Sequence, residues 1–338
     1  MMETGLFDWQ FRFKKLEQTG NPLHTLNKVI DWESFRPLLN RIHEKERKSR
    51  AGAKPYDVVM MFKISILQSL YNLSDDAVEF QILDRISFMR FLGLSLGDRV
   101  PDAKTIWLFR ERLKQGGLIE ELFATFDRFL NNSGFAAKKG QIVDASIVSA
   151  KTQRNSREEN QQIKKGQRPK DWSCAKRRQK DTEASWVKKN GKNYYGYKNH
   201  ISIDVKNKFI RKFEVTPAAV HDSRVFDQLL DKNNTNKDVY ADSAYRSKNA
   251  VGKLANRGFR DCIQRKGCRY RKLTQKQIDG NHRRAKTRAR IEHVFGVQAM
   301  TAGNLTIRTI GQLRAATVIG LRNLAYNMLR YRLLAQSP

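Results

Sequence analysis

The chain of 338 residues is strongly basic, with 65 Lys and Arg against 34 Asp and Glu, a formal charge of +31 and an isoelectric point near 10.2. Hydrophobic residues make up 40% of it, which supports folded cores and excludes a wholly disordered polyelectrolyte. The length is that of two or three domains. Such a charge favours nucleic acid or another polyanion as partner, and a merely solvated basic surface is the alternative.

The cysteines and the apolar runs indicate a reducing compartment. Cys174, Cys262 and Cys268 fit no standard zinc-binding spacing, and any pairing leaves one thiol over. No apolar run reaches the length of a membrane span, and residues 1–10 lack the pattern of a signal peptide. We therefore expect a cytoplasmic protein, without membrane contact, in the compartment that holds the DNA.

Residues 1–135 are predicted to be helical. Apolar periodicity and capping residues place helices at 56–71, 76–84, 86–96, 102–114 and 118–130, and a charged run at 44–54 is predicted to be exposed. The helix at 102–114 carries Lys104 and Arg110 on a basic face. Short helices joined by tight turns fit a helix-turn-helix-like DNA reader, and a plain helical bundle used for packing or dimerisation fits equally well.

The pattern changes to β-structure at Gln141. A short strand, 141–143, ends at Asp144, and a second strand, 239–241, ends at Asp242. Strands at 200–205 and 209–216 are predicted to form a hairpin, a short strand is expected at 261–264, and helices are expected at 222–230, 247–257 and 312–334.

Two segments concentrate the positive charge. Residues 151–198 hold 15 Lys or Arg against 5 Asp or Glu, which predicts a loop or insertion that orders partly on an anionic partner, or else a solvated loop. Residues 265–290 hold 11 Lys or Arg against one acid, Asp279, and lead into a helix with Glu292. Tyr194, Tyr195 and Tyr197 are candidates for stacking on bases or for packing at a strand edge.

Three carboxylates are candidates for a metal site: Asp144, Asp242 and Glu292. Phosphodiester chemistry uses two Mg²⁺ ions roughly 3.5–4 Å apart, and Mg²⁺ prefers oxygen ligands. A single strand-end Asp is more often a turn or cap residue, but the combination in a basic chain favours a site.

Arg288 and His221 are further candidates near these acids. Arg288 lies four residues before Glu292 and shares its helix face, either as a surface ion pair or to contact DNA phosphate and orient Glu292. His221 and Asp222 begin a predicted helix, where capping by Asp222 is the alternative to a role in the site.

Several short motifs occur in combination over residues 20–332. They are Asn72-Leu73-Ser74-Asp75, Val100-Pro101-Asp102, Phe109-Arg110, Val143-Asp144-Ala145, Tyr195-Gly196-Tyr197-Lys198-Asn199-His200, Ala241-Asp242-Ser243-Ala244-Tyr245, 288–296, Ile307-Arg308-Thr309-Ile310-Gly311 and 321–327. Together they resemble the motifs of bacterial insertion-sequence DDE transposases of the insertion-sequence-five type.

This resemblance implies an α/β fold, with an RNase H-like mixed β-sheet flanked by helices. It implies a helical N-terminal DNA-binding domain at 1–135 that recognises element ends, and a catalytic domain at 136–338 with a basic insertion at about 151–198. Asp144, Asp242 and Glu292 become the catalytic and metal-binding triad. The cofactor becomes Mg²⁺, with Mn²⁺ as a substitute.

The implied reaction is cleavage at the inverted-repeat ends, followed by transfer of the freed 3′-hydroxyl into target DNA. A homo-oligomer brings two ends together, and the expected place is the bacterial nucleoid. Residues expected to contact the double-stranded DNA are Arg288, Lys198, Lys104, Arg110, Arg283, Arg284 and Lys286, with His221 and His200 as accessory residues.

The sequence departs from the family pattern at two positions. A Tyr and a Lys that flank the family's glutamate fall here on Ala285 and Ala299, and Lys286 or Arg290 is a nearby base in their place. The competing hypotheses are an RNase H-like nuclease without strand transfer, a catalytically decayed DNA-binding repressor and a basic RNA-binding protein.

Overall fold

The structure, a computed structural model, describes residues 8–43, 54–153, 155–303 and 305–336. Most of the charged run predicted at 44–54 lies outside these residues. The chain forms two compact units: one contains the described residues up to Phe126 together with those from Leu324 onward, and the other is Asp127–Asn323.

The first unit is helical, as expected. Its helices are α1 (Asp8–Gln18), α2 (Pro22–Val29), α3 (Arg36–Asn40), α4 (Val58–Tyr71), α5 (Asp75–Asp84), α6 (Ile86–Leu92), α7 (Ala103–Gln115) and α8 (Leu118–Asn132), which begins in this unit. The helices predicted from the apolar pattern are thus confirmed, with one shorter than expected. The segment predicted at 86–96 ends at Leu92 because Gly93, at φ 77°, turns the chain out of the helix.

Local capping explains why these helices begin where they do. Asp57 accepts hydrogen bonds from Val59 N at 3.0 Å and Met60 N at 2.9 Å. Asp102 accepts one from Thr105 N at 2.7 Å. Each cap satisfies backbone N–H groups that have no partner inside the helix, so the capping residue determines where the helix begins.

An aromatic cluster forms the core of the first unit. Phe62 is fully buried, with its ring centroid 6.1 Å from that of Trp32 and 5.1 Å from that of Phe35. Burial of each such side chain contributes about 1.5–3 kcal/mol.

The second unit is built on a mixed sheet. Its strands are β1 (Gln141–Ala150), β2 (Ser185–Lys189), β3 (Lys192–Asp204), β4 (Ile210–Pro217), β5 (Asp238–Tyr240), β6 (Arg260–Asp261) and β7 (Thr306–Ile307). Its helices are α9 (Arg157–Lys164), α10 (Cys174–Gln179), α11 (Lys248–Asn256), α12 (Gln275–Ala302) and the first half of α13 (Gln312–Ala335).

The pairing of the strands gives the order β4–β3–β1–β5–β6. β3 pairs antiparallel with β1 and with β4, whereas β5 runs parallel to β1 and β6 parallel to β5. β2 extends the sheet beside the first half of β3, and β7 pairs with the end of β1. This mixed sheet flanked by helices confirms the expected α/β fold.

Three sequence predictions about this unit are corrected. The strand predicted to end at Asp144 continues to Ala150, because β3 pairs with it from Gln141 as far as Ser149. The loop expected over 151–198 is wrong for 185–198, which form β2, a turn and the first half of β3. The helix expected at 222–230 is two short 3₁₀ turns, Asp222–Arg224 and Phe226–Leu229.

Gly196 holds β3 close to β1. Its φ of 152° lies outside the range that other residues adopt readily, and a Cβ at this position would lie 2.2 Å from the carbonyl oxygen of Val148. Glycine is therefore required for the two strands to approach at this point.

The two faces of the sheet pack against different elements. Val143 packs with Phe226 and Tyr245 in one core cluster, and Val148 packs with Tyr197 and Ile319 in another. Because successive strand residues point to opposite faces, Asp144 lies on the same face as Val148, toward α13. Among the described residues, no helix combines the length and the apolar character needed to cross a membrane.

Candidate active site

The three predicted carboxylates line one cleft of about 790 Å³ in the second unit. Asp144 comes from β1, Asp242 from the turn after β5, and Glu292 from α12. Arg288 lies between two of them. Other residues that line the cleft are Ser146, Lys189, Asn190, Tyr194, Asn199, Phe295, Gln298, Ala299 and Arg322.

Asp144 is partly buried and less exposed than Glu292. Its side chain is 19% exposed. Oδ1 accepts a hydrogen bond from Ala145 N at 2.8 Å, and Oδ2 accepts one from Arg288 Nη1 at 2.8 Å. Burial raises the pKa of Asp144, while the Ala145 N–H and the charges of Arg288 and Lys189 oppose that rise.

Asp242 lies two residues after the end of β5, close to the strand end that its sequence context predicts. Its Oδ1 accepts a hydrogen bond from Ala244 N at 2.9 Å and caps the 3₁₀ turn Ser243–Tyr245. The negative charge of Asp242 contributes to the raised pKa of Asp144, so the two carboxylates influence each other electrostatically. Capping therefore fixes the backbone at Asp242 and does not exclude a second role for its carboxylate.

Tyr245 packs in the core cluster of Val143, with its hydroxyl buried and within electrostatic reach of Asp144 and Asp242. In the described part of the chain the hydroxyl has no hydrogen-bond partner. Burial raises the pKa of Tyr245 well above its ordinary value, and the charges of Asp222, Asp144 and Asp242 act in the same direction. The tyrosine is therefore a neutral neighbour of the carboxylates.

Arg288 bridges two of the three acids. Nη1 contacts Asp144, and Nη2 donates to Glu292 Oε1 at 3.2 Å. The Glu292 side chain is 63% exposed, whereas Ile291 and Val294 on the same helix are fully buried. One side of α12 is thus anchored in the core while the other presents Arg288 and Glu292 to the cleft.

The donor set fits a divalent cation in its chemistry, because three carboxylates supply the oxygen ligands that Mg²⁺ prefers. In their present positions, however, no group of three or more His, Cys, Asp or Glu among the described residues is arranged to hold a metal ion. Arg288 occupies one oxygen each of Asp144 and Glu292. The positive charge of the guanidinium stands where a cation would otherwise bind these oxygens.

Lys198 and His200 are not brought to the cleft. They lie opposite Ile147 and Ala145 in the sheet, and strand alternation places them on the face away from Asp144. Lys198 Nζ donates to Asp222 Oδ1 and to the carbonyl of Val220, both at 2.8 Å, and its side chain is 13% exposed. The expectation that Lys198 contacts DNA therefore finds no support in this geometry.

The two candidate histidines have structural contacts. His200 is fully buried with Nε2 2.8 Å from Thr216 Oγ1, and burial lowers its pKa to about 4. His221 Nδ1 accepts from Ser223 N at 3.3 Å, so His221 caps the 3₁₀ turn. The sequence analysis offered Asp222 as the capping residue, and this is wrong because the carboxylate of Asp222 binds Lys198 instead. Neither histidine lines the cleft.

The basic residues of α12 differ in their exposure. Arg283 and Lys286 are exposed, Arg284 is half-buried, and Arg290 donates from Nη1 to the carbonyl of Val205 at 2.7 Å. Ala299, at the family's lysine position, lines the cleft. Ala285, at the tyrosine position, is half-buried and does not line it.

In the first unit, Lys104 and Arg110 have different environments. Lys104 is exposed on α7. Arg110 is 13% exposed and donates from Nη2 to Asp75 Oδ2 and from Nη1 to Gln68 Oε1, both at 2.9 Å. The expected phosphate contact of Arg110 is unsupported because its guanidinium is engaged inside the unit.

The structure adds cleft residues that the sequence did not single out as site residues. Arg322 is 5% exposed, donates to the carbonyls of Gln298 and Gly303, and has its pKa lowered to about 10 by burial. The amide of Asn199 exchanges hydrogen bonds of 2.9 and 3.0 Å with that of Asn323. The sequence signal that could have identified Arg322 was its position among the leucines of the apolar helix predicted at 312–334.

Two family models match the chain. Residues 136–328 match the family described as Transposase DDE domain, and residues 11–112 match the Transposase domain (DUF772). Among solved structures, the chain is similar to the piggyBac transposase in a cryo-EM synaptic complex with hairpin DNA. The identity is 11%, the TM-score is 0.45, and the match covers 92% of this chain and 74% of that chain.

Proposed function

The chain belongs to the Transposase DDE domain family, and we propose that it cleaves DNA at the inverted-repeat ends of its own insertion sequence and joins the freed 3′-hydroxyl ends to target DNA. The family makes it a DDE transposase, an enzyme of DNA transposition. The observation that carries the finer proposal is the convergence of Asp144, Asp242 and Glu292 on one cleft of a chain with a formal charge of +31.

We assign these three carboxylates as catalytic residues that hold Mg²⁺, or Mn²⁺ in its place. The family generally uses divalent metal ions. When bound, such ions generate a nucleophilic oxygen and neutralise charge on the entering and leaving oxygens of the phosphodiester. Asp144 contributes more to affinity than Glu292 in this proposal, because its side chain is 19% exposed against 63% for Glu292 and water competes with it less.

Arg288 binds the DNA phosphate in this proposal. Its guanidinium reaches into the cleft and makes one hydrogen bond to Asp144 and one to Glu292, and a phosphate can accept both hydrogen bonds at once in a bidentate contact. Moving to the phosphate would release the oxygens of Asp144 and Glu292 for the metal. Arg288 thus acts on the strand to be cut, while Ile291 keeps the helix seated in the core.

The duplex beyond the cleft is held by exposed cations. Arg283 and Lys286 extend the basic surface of α12, with Arg284 partly covered beside them, and Lys104 is exposed in the first unit. We assign recognition of the element ends to the helical N-terminal region, which the sequence analysis places at 1–135. Binding that rests on such contacts weakens steeply with salt because phosphate contacts release counterions.

A homo-oligomer is part of the proposal, since joining both ends of one element requires two ends in a single complex. Large apolar side chains are exposed on two packed helices of the first unit, among them Phe80 and Leu83 on α5 and Trp107 and Leu108 on α7. Exposed apolar groups of this kind are suited to protein contacts. The bacterial nucleoid is the proposed place of action because DNA is the substrate.

Strand transfer by the purified protein tests the proposal. The protein is mixed with a labelled duplex that carries the ends flanking its gene, a supercoiled plasmid and Mg²⁺, beside Asp144→Ala and Asp242→Asn variants. Metal-dependent joined product that both variants lack is the expected result. Cleavage without joining would indicate a nuclease, and specific binding without either reaction would indicate a DNA-binding descendant without catalysis.

A further inference from the structure

The hairpin of β2 and β3 forms one wall of the cleft. Lys189, Asn190 and Tyr194 line the same cleft as Asp144. Lys189 pairs with Lys192, which leaves a two-residue turn, and both turn residues have positive φ: 50° at Asn190 and 78° at Gly191. Such turns match the twist of the flanking strands, so the hairpin is a short arm with a defined shape.

The three tyrosines of this hairpin have different roles. The hydroxyl of Tyr195 donates to the carbonyl of Asp181, and that of Tyr197 donates to Asp181 Oδ2, both at 2.7 Å. Both side chains are buried, and burial raises the pKa of Tyr195 to about 12. These two tyrosines anchor the base of the hairpin, whereas Tyr194 is half-buried and lines the cleft.

The tip of the hairpin is positively charged. Lys188, Lys189 and Lys192 are exposed there. The charge of Lys189 acts on Asp144, which places the tip within electrostatic reach of the carboxylates. An aromatic ring beside a track of cations is the combination with which proteins hold single-stranded nucleic acid, because the ring stacks on a base and the cations contact the backbone.

We propose that Tyr194 stacks on an unpaired base next to the phosphodiester that is cut, while Lys189 binds the backbone of the same strand. Inside a duplex both faces of a base are covered by its neighbours, so a ring in a concave cleft reaches a base only where that base has left the stack. The inference rests on the proposed function, since it takes the cleft to be the place of cleavage.

The test measures affinity, without metal, for two versions of the end duplex. One is fully paired, and the other has one unpaired nucleotide at the mapped cleavage position. The wild type is expected to prefer the unpaired version. Tyr194→Ala is expected to lose about 5- to 150-fold in affinity for that version and little for the paired one, whereas Tyr194→Phe keeps the preference. Tyr270→Ala serves as the control, because Tyr270 is 91% exposed and does not line the cleft.

The result distinguishes this inference from the proposed function. Tyr194→Ala that keeps the wild-type preference, in a preparation where the wild type cleaves and joins ends, would overturn the role of Tyr194 and leave the transposase in place. Wild-type protein that neither binds nor cleaves the ends would overturn both. Circular dichroism checks that the variants fold; if Tyr194→Ala does not, Tyr194→Leu takes its place with the same expected loss, because it fills the position without an aromatic ring.

Discussion

Replacing Arg288 with alanine is expected to raise the affinity of the DNA-free protein for divalent cations. Arg288 Nη1 lies 2.8 Å from Asp144 Oδ2, and Nη2 lies 3.2 Å from Glu292 Oε1. A cation that binds these oxygens must displace the guanidinium or accept its repulsion. Removing the guanidinium removes that competition while all three carboxylates stay in place.

The size of the effect follows from the exposure of each contact. The Glu292 side chain is 63% exposed, so its ion pair with Arg288 contributes only about 0.2–1 kcal/mol. The side chains of Asp144 and Arg288 are 19% and 23% exposed, and a hydrogen bond to a charged group there contributes about 1.5–3 kcal/mol. The sum of about 2–4 kcal/mol is an upper bound on the competition, and we expect a gain in affinity of about 10- to 100-fold.

The assay is a titration of Mn²⁺ into DNA-free protein, followed by calorimetry or by the electron paramagnetic resonance of the free ion. Because burial raises the pKa of Asp144, the titration is run in mildly alkaline buffer, which favours the ionised carboxylate. Arg290→Ala is the matched control, because it removes the same charge from the same helix but contacts the carbonyl of Val205 instead of a carboxylate. If Arg288→Ala binds Mn²⁺ no more tightly than Arg290→Ala does, the guanidinium does not compete for the carboxylate oxygens.

Three further predictions concern internal contacts of the two units, and each is compared with a reference protein or variant. Arg110→Ala is expected to lower the free energy of unfolding by about 3 kcal/mol, because it leaves the part-buried carboxylate of Asp75 without its counter-ion. Lys104→Ala should change the free energy of unfolding by less than about 0.5 kcal/mol but flatten the salt dependence of DNA binding. A stability loss for Lys104→Ala, together with a flatter salt dependence for Arg110→Ala, would contradict the structural role of Arg110 and the DNA contact of Lys104. The pKa of His200 is lowered in the folded state, so as the pH falls the unfolded chain binds a proton at this histidine before the folded chain does. The contribution of His200 to stability is therefore complete above its ordinary pKa of 6.5 and is lost as the pH falls toward about 4. Urea unfolding across that window should show a steeper loss for the wild type than for His200→Gln, and equal slopes would exclude His200 as the cause. Gly196→Ala should lower the melting temperature more than Gly258→Ala. Both glycines have positive φ, but only at Gly196 would the added Cβ lie against backbone, 2.2 Å from the carbonyl oxygen of Val148. Equal shifts in melting temperature would contradict the close approach of β3 to β1 at Gly196.

The features that the sequence predicted well depend on neighbouring residues. Helix α4 is apolar over most of its surface, α7 has an apolar stripe, and each begins at a capping aspartate, so their positions could be predicted directly. The extension of β1 past Asp144 could not, because it depends on pairing with β3, where Ser149 meets Gly196. A polar strand in a hairpin has the same composition as a loop until its partner is known.

The site was predictable in its acids and less so in its cations. Asp144, Asp242 and Glu292 were chosen from their contexts and a family resemblance, and their catalytic role stays a prediction. A lysine or arginine has the same appearance in sequence whether it faces a phosphate or an internal carboxylate. Lys198 finds its acid 24 residues away and Arg110 finds its acid 35 residues away, and such partners are fixed only by the fold.

The last helix, α13, determines when the first unit can complete its core during synthesis. Residues from Leu324 onward belong to that unit, and Leu324 and Met328 are buried. The ring centroid of Tyr331 lies 6.4 Å from that of Phe126, and Arg332 Nη1 donates to the carbonyl of Pro22 at 3.3 Å. The ribosome synthesises all of Asp127–Asn323 before it reaches these residues, so the helical unit cannot complete its core until the second unit has been synthesised. A message cut short within the second unit would therefore yield an N-terminal fragment that lacks part of its own core.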